Sequence, residues 1–254
     1  MVTVDFSLQG KIAIVTGGSK GIGLAIAHGL AQYGADVAIA ARGKEALDRA
    51  RAEIEQYGTR VLGVPANLAL EEEVVRFHAT VVSELGDADI LVNNAGMVRS
   101  VDLSDITYNK FESVMRLNAW SALRLAQLCR PAMKAKGGGV VICVASNGGL
   151  KPDPYIGAYS ASKAAMRMIS MQMAQEWADD GIRSSCIAPG LVRTELARGL
   201  VAEMESNGFP QNMQHRAASP EEIAGMAVLL ASPAGSYCHG ETFVIDGGEM
   251  YRPT

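Results

Sequence analysis

Tyr159 and Lys163 stand four positions apart in the run Tyr159-Ser160-Ala161-Ser162-Lys163, so on a helix their side chains share one face. A free phenol holds its proton until pH ~10, and an ammonium one helical turn away lowers that value by favouring the phenolate. The spacing therefore predicts a general acid or base that moves a proton to or from a carbinol oxygen, with Lys163 tuning Tyr159 and Ser146 completing the constellation. Taken alone, a tyrosine and lysine at this spacing also describe an ordinary exposed helix pair.

A second constellation is Thr16-Gly17-Gly18-Ser19-Lys20-Gly21-Ile22-Gly23, placed between a short apolar run and a helix-forming one. Gly17 permits a tight turn, Gly21 lets the backbone approach a phosphate, and Gly23 allows close helix–strand packing. The following helix offers free N–H groups and a partial positive charge, so a dinucleotide pyrophosphate fits there. Which dinucleotide depends on the end of the next strand, where a carboxylate suits a free ribose 2′-hydroxyl and an arginine suits a 2′-phosphate. The segment Ala40-Ala41-Arg42-Gly43-Lys44 has no carboxylate. Arg42 presents a planar fork and Lys20 a second charge, which predicts NADP(H); the plainer alternative is a pair of solvated surface cations.

These groups need a scaffold, and the chain alternates short apolar runs with long amphipathic ones. Strands are expected at Ile12–Thr16, Val37–Ala41, Val61–Val64, Ile90–Val92, Val140–Ala145, Ile182–Ala188 and Thr242–Ile245. Helices are expected at 21–34, 44–57, 70–85, 107–136, 158–180 and 219–231, with a further stretch near 195–206. That alternation means an α/β fold: a doubly wound, parallel, seven-stranded sheet with helices on both faces, in a single Rossmann-type domain over 1–254.

The 254 residues, 48% hydrophobic with a net charge of −4, exclude a disordered or coiled-coil chain and leave no basic excess for nucleic acid. The longest apolar or small run, Ile223–Ala231, is far too short for a bilayer, and Asp5 near the start replaces the basic cluster of a signal peptide. A cytoplasmic protein with no membrane partner is expected. Cys129, Cys143, Cys186 and Cys238 form no CxxC pair, and His28, His78, His215 and His239 share no ligand spacing, so reduced thiols and no metal are expected.

Taken together the motifs resemble the short-chain dehydrogenase/reductase family over essentially the whole chain: Thr16-Gly-x3-Gly21-x-Gly23, Asn93-Asn94-Ala95-Gly96, Asn118, Ser146, Tyr159-x3-Lys163, Pro189-Gly190 and Asp246-Gly247-Gly248. The resemblance implies a catalytic tetrad of Asn118, Ser146, Tyr159 and Lys163. In it Ser146 orients the substrate oxygen, Tyr159 exchanges the proton, Lys163 holds the nicotinamide ribose, and Asn118 positions a water leading from Lys163 to bulk. It also assigns Ser19, Ile22, Asn94, Ala95 and Gly96 to the cofactor wall, and Pro189, Gly190, Val192 and Thr194 to the nicotinamide side. Asn67, followed by Leu68, stands where the family commonly has an aspartate for the adenine amino group, and Ala145-Ser146 replaces the usual Ser-Ser.

The pattern is nearest the 3-oxoacyl-[acyl-carrier-protein] reductase-like branch. Members that accept acyl carrier protein tend to have arginines near the ends of the two long central helices; Gly137 and Asp180 stand there, so the carrier is not an expected partner. The expected substrate is a small ketone or alcohol, with a β-ketoacyl group as one form. The segment 191–216, with Gly199, Gly208 and Pro210, reads as a mobile lid. Leu150, Tyr155, Leu191, Val192 and Met97 give a moderately apolar pocket if they point inward, and are plain packing otherwise. A binding protein that senses redox state or scaffolds a partner is the alternative class.

The helix beginning near Tyr159 is apolar nearly all round, with Ala164, Ala165, Met166, Met168, Ile169, Met171, Met173, Ala174 and Trp177. One face suffices for a core, so the surplus predicts either a subunit contact or full burial within one subunit. With a second contact near Phe243–Tyr251, the first reading gives a homotetramer.

Overall fold

The computed structural model describes residues 4–208 and 212–251, so the ends of the expected domain and lid residue Pro210 lie outside the described residues. The strands are β1 (Ile12–Thr16), β2 (Asp36–Ala41), β3 (Val61–Pro65), β4 (Ile90–Asn93), β5 (Gly139–Val144), β6 (Ile182–Pro189) and β7 (Thr242–Ile245). All pair in parallel in one sheet ordered β3-β2-β1-β4-β5-β6-β7. The helices are α1 (Gly21–Gln32), α2 (Lys44–Ile54), α3 (Glu71–Glu84), α4 (Tyr108–Met115), α5 (Ser121–Ala135), α6 (Gly157–Glu176), α7 (Arg198–Ser206) and α8 (Pro220–Ala231).

Because successive strand residues face opposite ways, each strand feeds two cores. Ala13, Val15, Val37, Ile39, Val92 and Ile142 pack under α1, α2 and α8. Ile14, Ala38, Leu91, Val141 and Cys143 pack under α3, α5 and α6. The sheet is thus buried on both faces, the reason its strands read as apolar runs rather than alternating ones. Chain order reverses between β1 and β4, and the crevice at their carboxyl ends is where ligands bind in such sheets.

The expected helix at 107–136 is interrupted: Arg116–Trp120 forms one π-helical turn between α4 and α5. Such a turn differs from its α-helical flanks in its i→i+5 hydrogen bonding, which no residue type marks, so the sequence reads as one helix. The expected helix at 158–180 ends as α6 at Glu176, followed by a 3-10 turn over Ala178–Asp180 closed by Gly181 at φ 72°. Among the described residues, no helix is long and apolar enough to cross a membrane.

Candidate active site

The glycine loop is held from below by Thr16, a buried hydroxyl at the end of β1. It accepts hydrogen bonds from the backbone N–H groups of Asn94 (2.9 Å) and Ala95 (3.0 Å) and donates to the Val92 carbonyl (3.3 Å). Asn94 answers with its side chain, whose Nδ2 donates to the carbonyls of Thr16 (2.9 Å) and Gly17 (3.3 Å). Sequence reasoning placed Asn94 at the cofactor wall and gave Thr16 no role; a hydroxyl ending an apolar strand was the available signal.

The loop has room for nothing but glycine at its critical points. Gly17 sits at φ 67°, and a Cβ on Gly23 would lie 2.4 Å from the Gly17 carbonyl oxygen. Helix α1 begins with no side-chain cap and no acidic residue in its first turn, so its leading N–H groups are left for an anion. The N–H groups of Gly17 and Gly18 donate to the Ala40 carbonyl, which keeps the loop against the end of β2, where Arg42 is exposed.

Lys20 does not stand free beside Arg42 as the sequence implied. Its Nζ is 2.6 Å from Glu195 of the expected lid, an exposed ion pair that spans 175 positions and so left no trace in local sequence. The Thr194 methyl comes down on Gly21, where a Cβ would meet it at 3.0 Å. A cavity of about 600 Å³ remains between loop and lid, lined by Ser19, Lys20, Thr194 and Arg198 among others. Val192 is buried and bridges Ala218 at the root of this segment.

Two assigned cofactor residues are placed differently from their side-chain roles. Leu68 is buried in the core beside α3, so its side chain packs rather than facing a ligand. Asn67 is exposed, and its Oδ1 accepts from the Ala69 N–H at 3.3 Å within its own turn. Pro189 ends β6, and Gly190 packs so tightly on Asp246 that a Cβ would lie 2.8 Å from that backbone. Ile22 is half-buried in the first turn of α1.

At the carboxyl ends of β4 and β5, the four expected catalytic residues come together. Asn118, with 0% exposure in the π-helical turn, accepts from the Met97 N–H (2.8 Å) and donates to the Met97 carbonyl (2.9 Å) and Ser162 Oγ (2.9 Å). Both amide hydrogens are used, so Asn118 ties the post-β4 loop to α6; what it has left for a water is Oδ1 lone-pair capacity and its backbone. Ser162 passes the link on, donating to the Tyr159 carbonyl at 2.7 Å.

Ser146 Oγ accepts from the Gly148 N–H at 3.1 Å and is near enough to the Tyr159 phenol to act on its pKa. Burial pushes the Tyr159 phenol above its usual pKa; the Ser146 hydroxyl pulls it down, and the Asp153 charge pushes it up further. The expected depression by Lys163 is therefore not what this arrangement gives. Lys163 lies 5.7 Å from the ring centroid and turns its Nζ instead to the Val144 carbonyl, at 2.7 Å. Burial lowers the Lys163 amine to about 8. Gly96 leaves the space beside it open, since a Cβ there would stand 3.5 Å from Nζ. Among the described residues, no group of three His, Cys, Asp or Glu could hold a metal ion.

A family model described as short chain dehydrogenase matches residues 11–205. A rabbit (Oryctolagus cuniculus) protein named dehydrogenase/reductase SDR family member 4 is 36% identical over 254 residues, covering 99% of this chain and 98% of its own. A gluconate 5-dehydrogenase of Gluconobacter oxydans is 33% identical, with 96% of each chain covered. The crystal structure of an L-sorbose reductase from Gluconobacter frateurii, complexed with NADPH and L-sorbose, superposes with a TM-score of 0.93 at 36% identity, covering 98% of this chain and 100% of its own. The chain belongs to the short-chain dehydrogenase/reductase family.

The network under the glycine loop gives a direct test. Thr16→Val keeps the shape but strands two half-buried N–H donors, at a cost of about 1–3 kcal/mol in unfolding free energy, while Thr16→Ser restores most of it. Urea denaturation of the three proteins reads the difference; equal midpoints would show that the hydroxyl holds nothing.

Proposed function

We propose that the protein is an NADP(H)-dependent oxidoreductase that interconverts a ketone and a secondary alcohol. The observation that carries this is the convergence, at one sheet edge, of the uncapped α1 terminus with Ser146, Tyr159 and Lys163. The residues present fit a nicotinamide dinucleotide: the glycine cradle admits no Cβ, the first-turn N–H groups have no cap, and Arg42 is exposed at the end of the neighbouring strand. When bound, the cofactor supplies or takes the hydride.

The chain's own residues do the rest. Ser146 donates to the carbonyl oxygen and orients it, and Tyr159 holds the proton that oxygen acquires. With its pKa raised by burial, the phenol stays protonated through neutral pH, the form needed for reduction. Lys163, lowered to about 8, is charged at neutral pH and stands at the open space beside Gly96, where a ribose hydroxyl is to be held. Asn118 is a positioning residue that fixes α6 against the loop after β4.

Arg42 supports the phosphorylated cofactor, because no carboxylate occupies the turn that follows β2 and its guanidinium can pair a 2′-phosphate bidentately. Lys20 joins it only by leaving Glu195. Acyl carrier protein is a poor partner on this account. Asp180 is buried and takes up Lys134 (2.6 Å) and Arg130 (2.8 Å), so one of the two positive charges near the end of α5 is cancelled and less is left to meet an acidic surface.

Self-association is supported by apolar surface left over on α6 and on the end of α4 with the π-helical turn that follows it. Met168 is 53% exposed, Met171 and Trp120 are exposed with it, and Ala165, Ile169 and Met115 line a groove between them. A second copy of the chain fits such a face, and a further two-fold contact through β7 closes a homotetramer.

Steady-state kinetics test the catalytic reading. Wild type should use NADPH at least tenfold better than NADH as kcat/KM, Arg42→Ala should remove most of that preference, and Tyr159→Phe should abolish turnover while NADPH still binds in fluorescence titration. Equal use of both cofactors refutes the Arg42 role, and an active Tyr159→Phe refutes the proton-transfer assignment. Light scattering during size exclusion should return four times the 26.8 kDa chain mass; a monomer mass would refute the assembly.

A further inference from the structure

Beside Ser146 and Tyr159 the wall of the site is charged, contrary to the apolar pocket that Leu150 and Tyr155 implied. Lys151 Nζ lies 2.7 Å from Glu249 Oε1 and 3.3 Å from Asp153 Oδ1. The Glu249 side chain is only 10% exposed and arrives from the far end of the chain, in the turn that Asp246 shapes by accepting from the N–H groups of Gly248 and Met250. The Lys151 N–H donates to the Asn147 carbonyl at 3.1 Å, which fastens this cluster to the turn carrying Ser146. Asp153 Oδ2 is 3.3 Å from where a Gly148 Cβ would stand, and Gly148 itself donates to Ser146 Oγ.

The cluster is rigid. Asp153 stands between Pro152 and Pro154, whose φ angles are fixed by their rings. The next residue, Tyr155, is held at φ 65°, a conformation costly for an aromatic residue, and its carbonyl accepts from the Val101 N–H at 2.7 Å. Tyr155 as a residue is 63% exposed. A fixed carboxylate, a second carboxylate, an ammonium and an open aromatic face are the groups that take up hydroxyls and the C–H faces between them.

We propose that the substrate is a neutral polyhydroxylated ketone, or the polyol formed from it, whose hydroxyls beyond the reacting carbon are bound by Asp153, Glu249 and Lys151. This rests on the reading of Ser146 and Tyr159 as the groups that meet the reacting oxygen. The oxygens of Asp153 and Glu249 turned away from Lys151 accept from hydroxyls, and the ammonium donates to one. Two carboxylates against one ammonium leave a net charge of −1, which repels a substrate that is itself a carboxylate. An unsubstituted alkyl ketone would strip water from the carboxylate oxygens turned away from Lys151 and give them no hydrogen bond in return.

Three six-carbon ketones separate the possibilities when reduced with NADPH: a ketohexose, a keto-hexonate and 2-hexanone. Wild type should reduce the ketohexose with kcat/KM at least tenfold above either of the others. Asp153→Asn and Glu249→Gln should each lower the ketohexose-to-hexanone ratio of kcat/KM at least tenfold, mainly through KM, with thermal unfolding confirming that each variant is folded. A wild type that favours 2-hexanone or the keto-hexonate overturns the proposal, whatever the variants do, as does a ratio unmoved in folded variants. Turnover of none of the three ketones, nor of the matching alcohols with NADP+, by protein that binds NADPH overturns the oxidoreductase reading itself.

Discussion

Lys163 brings an ammonium group into the core at 4% exposure, and the partner its Nζ finds there is the Val144 carbonyl at 2.7 Å. No carboxylate is paired with it among the described ion pairs, and burial alone accounts for its lowered pKa. A buried charge without a counter-ion is among the costlier arrangements in a protein interior. The surrounding geometry follows from accommodating it. Gly149 packs so closely on the Lys163 backbone that a Cβ would come within 2.8 Å, and Gly96 stays bare above the amine. The hydrogen-bonded chain from Met97 through Asn118 and Ser162 to the Tyr159 carbonyl then fixes the helix that carries both Lys163 and Tyr159.

A parallel sheet makes this possible because all its strands deliver their carboxyl ends to the same edge. Thr16 at the end of β1, Asn94 just past β4 and Ser146 just past β5 are far apart in sequence and become neighbours there. The same edge explains why the glycine loop and the helix that carries Tyr159 are mechanically connected. Asn94 braces the glycine loop, while Met97, three residues later, is gripped by Asn118. Movement of the loop after β4 would disturb both at once.

The sequence made much of this legible. Apolar runs marked every strand to within two residues, because a doubly covered sheet leaves no polar face to blur them. Tyr159, Lys163 and the glycines were readable because their spacing is local. What stayed hidden depends on contacts across long separations or on atomic direction. Glu195 reaches Lys20, and Glu249 reaches Lys151, across distances at which no local pattern exists. The π-helical turn at Asn118 is a matter of hydrogen-bond pattern that no residue type marks, and so reads as plain helix. Spacing placed Lys163 on the face of Tyr159, but only coordinates show the amine turned to Val144 and the phenol raised by burial instead of lowered.

If the buried ammonium is the constraint around which the site is built, removing it should stabilise the protein while ending its activity. Burial lowers Lys163 from 10.5 to about 8. Below pH 8 the folded chain carries the full penalty of a charged buried amine. Between about 8 and 10.5 the folded state has released a proton that the unfolded chain still holds, so stability rises with pH. The decisive measurement is the unfolding free energy of cofactor-free wild type and Lys163→Met from pH 6.5 to 10.5. The account predicts an inactive variant that is the more stable protein at pH 7, by up to about 3 kcal/mol less the lost hydrogen bond, with the gap closing as pH rises. A variant less stable than wild type at pH 7, or a difference that does not change with pH, would contradict it.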